Sequence, residues 1–154
     1  PPRSTPLTCR RQRQMCIRDR YCAMVLTIKT RAKTEFVDIT SQVNRLFAST
    51  GSVVNGLCFL YVPHTTAAVT VNESADPSVR EDILNVLNAI VPWEGGYRHL
   101  EGNSPAHVKS TLVGASEWVA VENNRLVLGT WQGIFFCEFD GPRTRKIHVR
   151  VIPE

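Results

Sequence analysis

Over residues 145–152 the chain alternates without a break, with Ile147, Val149 and Val151 on one side and Lys146, His148 and Arg150 on the other. Successive side chains of an extended backbone point to opposite faces, so this segment is a strand with one face in a core and one in water. Half-buried strands of this kind belong to antiparallel sheets, which excludes an all-helical fold and a parallel sheet covered on both sides. Residues 25–31, 35–39, 67–72, 118–121, 126–128 and 134–140 carry further strand signals, with turns at Asn123-Asn124 and Gly141-Pro142. Residues 57–62 are apolar throughout and read as a buried strand.

Helices interrupt this pattern. Val43, Leu46 and Phe47 after Thr40-Ser41 predict a short amphipathic helix that stops by Gly51. Asp76-Pro77 reads as an N-cap followed by a first-turn proline, and Val79, Ile83, Val86, Leu87, Ile90 and Val91 then share one face up to Pro92. A polar loop over residues 93–103 leads to Ser104-Pro105, a second cap-and-proline start, with Val108, Thr111 and Leu112 expected inward before Gly114. Strands mixed with two or three helices in 154 residues give one α+β domain, long enough to bury a core without disulfides.

Charge divides the chain. The formal net charge is +4, but the first 23 residues hold six arginines against Asp19 and carry +5, leaving −1 from Met24 onward. The basic pI therefore does not describe the folded part, and nucleic acid is not the expected partner: arginines with Tyr21 as their one aromatic neighbour offer only non-specific phosphate attraction. Residues 1–23 are expected to be a disordered tail or an upstream translated stretch outside a domain spanning residues 24–154. Cys58 and Cys137 lie in apolar runs, where a free thiol is a small hydrophobe suited to the reducing cytoplasm. No stretch is long and apolar enough to cross a membrane as a helix.

Three of the four histidines lie at element boundaries, where a rigid scaffold presents reactive side chains. His64 ends the 57–62 strand, His99 lies in the polar loop, and His107 opens the second capped helix. Three imidazoles are the count that holds a catalytic zinc with one position left for water, although loop histidines also serve as ordinary hydrogen-bonding groups. An extended backbone would put His99, Glu101 and Asn103 on one side, which makes Glu101 either a partner to a histidine or base, or a solvated carboxylate. Thr65 and Thr66 can hold a phosphate or orient His64, or be strand residues. Lys109 stands near a helix N-terminus where an anion could dock, and Arg143 either grips phosphate or caps its hairpin with Asp140. Trp131 and Gln132, between Gly129 and Gly133, suit either a ligand-contacting loop or a tight β connection. No Gly-rich phosphate loop, nucleophile elbow or Cys-x-x-Cys pair is present.

Four blocks together resemble the YjbQ-like family: His64-Thr65-Thr66 with the strand running on to Glu73, Tyr97-Arg98-His99-Leu100-Glu101-Gly102-Asn103, Ala106-His107-Val108-Lys109-Ser110, and Gly129-Thr130-Trp131-Gln132-Gly133 with its continuation to Asp140-Gly141-Pro142-Arg143. The resemblance covers residues 24–154 and implies a β-sandwich with flanking helices, assembled as a homotrimer. It also implies a cleft in which His64, His99 and His107 hold a divalent metal, and a secondary thiamine-phosphate synthase activity joining a pyrimidine pyrophosphate to a thiazole phosphate. On that view Glu101 and His107 are catalytic, while Thr65, Thr66, Asn103, Lys109, Trp131, Gln132 and Arg143 bind a phosphorylated small molecule. Three imidazoles favour zinc, whereas pyrophosphate displacement usually employs Mg²⁺ on oxygen ligands. The alternatives are a metal-dependent hydrolase of a phosphorylated molecule and a non-catalytic trimeric metal- or ligand-binding protein.

Overall fold

A computed structural model describes residues 22–48 and 55–153, and the expectations for residues 1–21 lie outside it. The chain runs β1 (Cys22–Lys29), β2 (Glu35–Asp38), α1 (Thr40–Ala48), β3 (Gly56–Tyr61), β4 (Ala67–Glu73), α2 (Pro77–Ile90), α3 (Ser104–Val113), β5 (Ser116–Glu122), β6 (Arg125–Leu126), β7 (Gln132–Glu138) and β8 (Thr144–Pro153). Five strands pair in the order β1-β8-β3-β5-β6 and three in the order β2-β7-β4, every pair antiparallel. The β1 ladder takes in Cys22 and Ala23, two residues before the expected domain boundary.

The sheets and helices form layers around two clusters. Ile28, Cys58, Leu60, Val121, Ile147, Val149 and Val151 of the larger sheet meet Val69, Ile134 and Phe136 of the smaller one, with Ile39, Val43 and Phe47 closing the space between them. The far face of the smaller sheet, Phe36, Ala68, Phe135 and Cys137, is covered by Ala106 together with Ile83, Leu84, Leu87, Trp93 and Val113. Strand β7 is the centre of the middle layer and is buried on both faces from Gly133 onward, which is why Ile134-Phe135-Phe136-Cys137 has no polar alternation. Gly56 lets β3 start hard against β8, since a Cβ there would lie 2.1 Å from the Ile152 carbonyl oxygen.

Three expectations change. The 57–62 run is buried on one face only: Cys58 and Leu60 point inward, while Leu57 and Tyr61 are 46% and 44% exposed. Helix α2 has its Asp76 cap, whose carboxylate accepts from Ser78 N–H at 2.8 Å, yet Val86 and Ile90 face out. Helix α3 turns the opposite way from the expectation, with Val108, Thr111 and Leu112 outward and Pro105, Ala106, Lys109 and Ser110 buried. The physical reason is close approach to β4: small Ala106 and Ser110 bring the helix near enough for the Ser110 hydroxyl to donate to the Ala67 carbonyl at 2.9 Å.

Candidate functional site

Strand β3 ends at Tyr61 and Val62-Pro63 carries the chain out to His64. At the same end of the fold β7 finishes, β8 begins and the 91–103 connection delivers the chain into α3. These termini enclose an open cleft of about 470 Å³ lined by His64, Thr65, Thr66, His99, Glu101, Asn103, His107, Asp140, Arg143 and Arg145. Eight of the sequence-predicted site residues therefore meet, although they come from segments up to 79 positions apart, His64 to Arg143.

His99 and His107 stand edge to face, with ring centroids 5.4 Å apart, and His99 Nε2 lies 3.7 Å from Glu101 Oε2. Strand alternation is not what brings His99 and Glu101 together: the segment turns, with Gly102 N–H donating to the His99 carbonyl at 3.1 Å and Gly102 in a left-handed conformation at φ 72°. Asn103, and not Ser104, caps α3, but its side chain does not bond the helix. The residue two places on is Pro105, which has no N–H, and the Ala106 N–H goes to the Asn103 main-chain carbonyl. Asn103 Nδ2 instead donates to Asp140 Oδ2 at 3.2 Å, while its buried Oδ1 has no hydrogen-bond partner.

The floor is an ion pair. Arg145 Nε donates to Glu138 Oε2 at 2.7 Å, and Nη2 donates to Glu138 Oε1 at 2.6 Å and to Thr66 Oγ1 at 2.9 Å. Glu138 accepts three further bonds, from the Thr30 hydroxyl and from the N–H groups of Phe139 and Asp140. Arg143 braces its own turn, with Nε on the Asp140 carbonyl at 2.7 Å and Nη2 on Asp140 Oδ2 at 2.8 Å. Apart from the imidazoles, Glu101, Glu138 and Asp140 share the cleft and its floor with Arg143 and Arg145, three carboxylates to two guanidiniums.

His64 Nε2 accepts the Lys146 N–H at 2.9 Å, and burial, then the Arg145 guanidinium, push its pKa below the usual histidine value. A metal fits the remaining chemistry in part. His99, His107 and Glu101 are two imidazoles and a carboxylate with open donor atoms at the acidic end of the cleft, a set that suits zinc. Among the described residues no three ligand side chains already converge.

Lys109, Trp131 and Gln132 are not brought to this cleft. Lys109 is fully buried on the other side of α3, where Nζ donates to Asn88 Oδ1 at 2.5 Å and stands 4.9 Å from the Trp93 ring centroid. Trp131, 65% exposed, and Gln132 lie at the start of β7, six residues and roughly 20 Å from the Glu138 end. Sequence reading passed over Arg145 and Glu138. The signal available was a charged residue at the inward register of two strands, Arg145 in phase with Ile147 and Glu138 in phase with Phe136, each calling for an opposite charge in the core.

The family model described as UPF0047 protein YjbQ-like matches residues 24–154. UPF0047 protein YugU of Bacillus subtilis is 52% identical over 128 residues, covering 82% of this chain and 96% of that protein. A UPF0047 protein of Methanocaldococcus jannaschii is 50% identical over 125 residues, 81% of this chain and 90% of its own. Among solved structures, a Clostridium acetobutylicum protein of the yjbq/upf0047 family, described as uncharacterized, superposes with a TM-score of 0.80 at 47% identity, covering 84% of this chain and 99% of that one. A YbjQ-like protein of unknown function from Sulfolobus solfataricus gives 0.82 at 35% identity over 88% and 99% of the two chains. With matched family blocks in order along residues 24–154, curled antiparallel sheets and three helices, the chain belongs to the YjbQ-like UPF0047 family.

Proposed function

We propose that the chain is a metal-dependent enzyme acting on a phosphorylated small molecule, of the secondary thiamine-phosphate-synthase type. The observation that carries this reading is that one cleft gathers two kinds of group. His99, Glu101 and His107 offer lone pairs, whereas Arg143 and Arg145 offer N–H donors on guanidiniums held rigid from behind. The excess carboxylate opposes a bare phosphate, and a divalent cation among His99, Glu101 and His107 offsets it. Bound there, zinc would polarise a phosphoryl oxygen or lower the pKa of a bound water, and Mg²⁺ would meet the oxygen-rich phosphate side. In this reading Glu101, 74% exposed on its side chain and 3.7 Å from His99, takes a proton through Oε2, and His107 holds one at its ring.

The same reading includes a homotrimer. The outer face of the five-stranded sheet carries Leu57, Phe59, Tyr61, Trp118 and Ile152 as neighbours in the ladder register, with His148 and Arg150 at their β8 side. Phe59 packs on Trp118 at a centroid distance of 4.5 Å and on Tyr61 at 6.4 Å. A contiguous apolar sheet face of this kind calls for a cover, and further copies of the chain supply one. The two buried free thiols accord with the cytoplasm, and no helix among the described residues is long and apolar enough to cross a membrane.

Elemental analysis of the purified chain, as isolated and after chelation and zinc reloading, tests the reading beside a His99→Ala, His107→Ala variant. About one metal per chain that is lost in the folded variant, with turnover of a pyrophosphate or phosphate ester restored by reloading, is expected. Equal metal content in parent and variant, or turnover indifferent to chelation, would sink it.

A further inference from the structure

His64 was expected to complete a three-imidazole metal site, and its hydrogen bonding points elsewhere. We propose that His64, Arg143 and Arg145 form a cradle for a tetrahedral oxyanion, in which His64 donates through Nδ1–H and is not a metal ligand; this rests on the reading of the cleft as a phosphate-ester site.

The first ground is the tautomer. A ring nitrogen that accepts a backbone N–H, as Nε2 does from Lys146 at 2.9 Å, must present its lone pair there, so a neutral ring carries its proton on Nδ1. Both nitrogens are then committed, one as acceptor to strand β8 and the other as donor. A metal at Nε2 would displace the Lys146 N–H, and a metal at Nδ1 would require the opposite tautomer and set two N–H groups against each other. Burial and the Arg145 charge outweigh the pull of Glu138 and lower the pKa of the ring, which favours its neutral form.

The second ground is which guanidinium edges are used. Arg145 spends Nε and both protons of Nη2 on Glu138 and Thr66, and Arg143 spends Nε and one proton of Nη2 on Asp140. Among the described residues no hydrogen bond engages Nη1 of either guanidinium, and both side chains line the cleft. The carboxylates thus brace the rear of each planar fork and leave its front free for a ligand.

Nδ1–H of His64 and the two Nη1 groups make a wall of donors, with the Thr65 hydroxyl beside them. Several convergent donors, two of them permanently charged, match a phosphoryl group or the terminal phosphate of a pyrophosphate. The cation that balances the phosphate belongs with His99, Glu101 and His107.

Long-range ¹H–¹⁵N correlation spectra of the full chain, with the four histidines assigned through single His→Gln variants, read the tautomer directly. The expected result at pH 7.5 is an Nδ1–H tautomer at His64 that one equivalent of Zn²⁺ leaves in place while the His99 and His107 nitrogens shift. Inorganic phosphate added to metal-free protein should shift His64 Nδ1, and its affinity should fall roughly tenfold in folded Arg143→Gln and His64→Gln variants, the weight of one charge-assisted hydrogen bond. An Nε2–H tautomer, a zinc-induced shift at His64 matching those of His99 and His107, or unchanged phosphate affinity in both variants would overturn the cradle. Failure of zinc to bind while the phosphate responses persist removes the metal reading and leaves the cradle standing, so the two proposals fail separately.

Discussion

Replacing Arg145 by methionine strands a carboxylate that is fully buried, and replacing Glu138 by methionine strands a guanidinium that is nearly so. Breaking a buried pair from one side costs about 3–5 kcal/mol. The structure orders the two variants within that range. Without Arg145, Glu138 keeps its three other donors, the Thr30 hydroxyl and the N–H groups of Phe139 and Asp140, so the loss should fall near about 3 kcal/mol. Without Glu138, Arg145 keeps only Thr66, and the Phe139 and Asp140 N–H groups lose their acceptor at about 1 kcal/mol or more each, which brings the loss to about 5 kcal/mol or above. The double methionine variant removes both charges and keeps only the orphaned N–H cost, about 2 kcal/mol, so it should be no worse than Arg145→Met alone. Urea unfolding followed by tryptophan fluorescence at fixed protomer concentration measures all three. Arg145→Met proving as damaging as Glu138→Met would refute the argument, because it would mean that the backbone donors do not support the carboxylate.

Lys109→Met should lower stability by about 1–3 kcal/mol, since methionine keeps the buried stem but forfeits the charge-assisted bond to Asn88 and the contact with the Trp93 ring, and it should leave phosphate binding unchanged; weakened phosphate binding would restore Lys109 to the site. Trp118→Glu, placed in the exposed aromatic face, should convert the proposed trimer to monomers in light scattering at micromolar concentration, and a mass that is the same in parent and variant would refute this face as the assembly surface. Cys58, whose thiol burial pushes up to about 12, and Cys137, pushed well above the ordinary thiol value, should resist a thiol reagent at pH 8 in the native state and react after unfolding, as peptide mass mapping would show.

The elements were legible because their signals are local. The alternation of Ile147, Val149 and Val151 sets the inward face of β8, Asp76-Pro77 sets the start of α2, and Asn123-Asn124, at φ 49° and 63°, form the turn their side chains favour. The orientation of α3 was not legible, because Ala106 and Ser110 carry almost no hydrophobic signal: what selects the buried face is how closely a sheet approaches, which depends on β4. The exposed row of Leu57, Phe59 and Tyr61 was read as core for a related reason, since an apolar run looks the same whether its second face meets this chain or another molecule.

The site shows the same limit in its electrostatics. Sequence order identifies His64, His99, His107 and Glu101 as residues at element ends, and the fold brings them to one cleft. What each can do there depends on atoms that the sequence does not place. Lys146 is an outward-facing strand residue with no chemistry of its own, yet its N–H settles which nitrogen of His64 holds a proton. Pro105 looks like a helix-starting residue, and with no N–H there and the Ala106 N–H on the Asn103 carbonyl, the buried Asn103 Oδ1 has no partner. Charge at an inward strand register is the one such feature that can be read beforehand: a buried arginine demands a buried acid, and Glu138 occupies the matching inward position on β7. The donor role proposed for Arg145 follows from that pair, because Glu138 holds the fork by its Nε–Nη2 edge and so decides which N–H groups remain for a ligand.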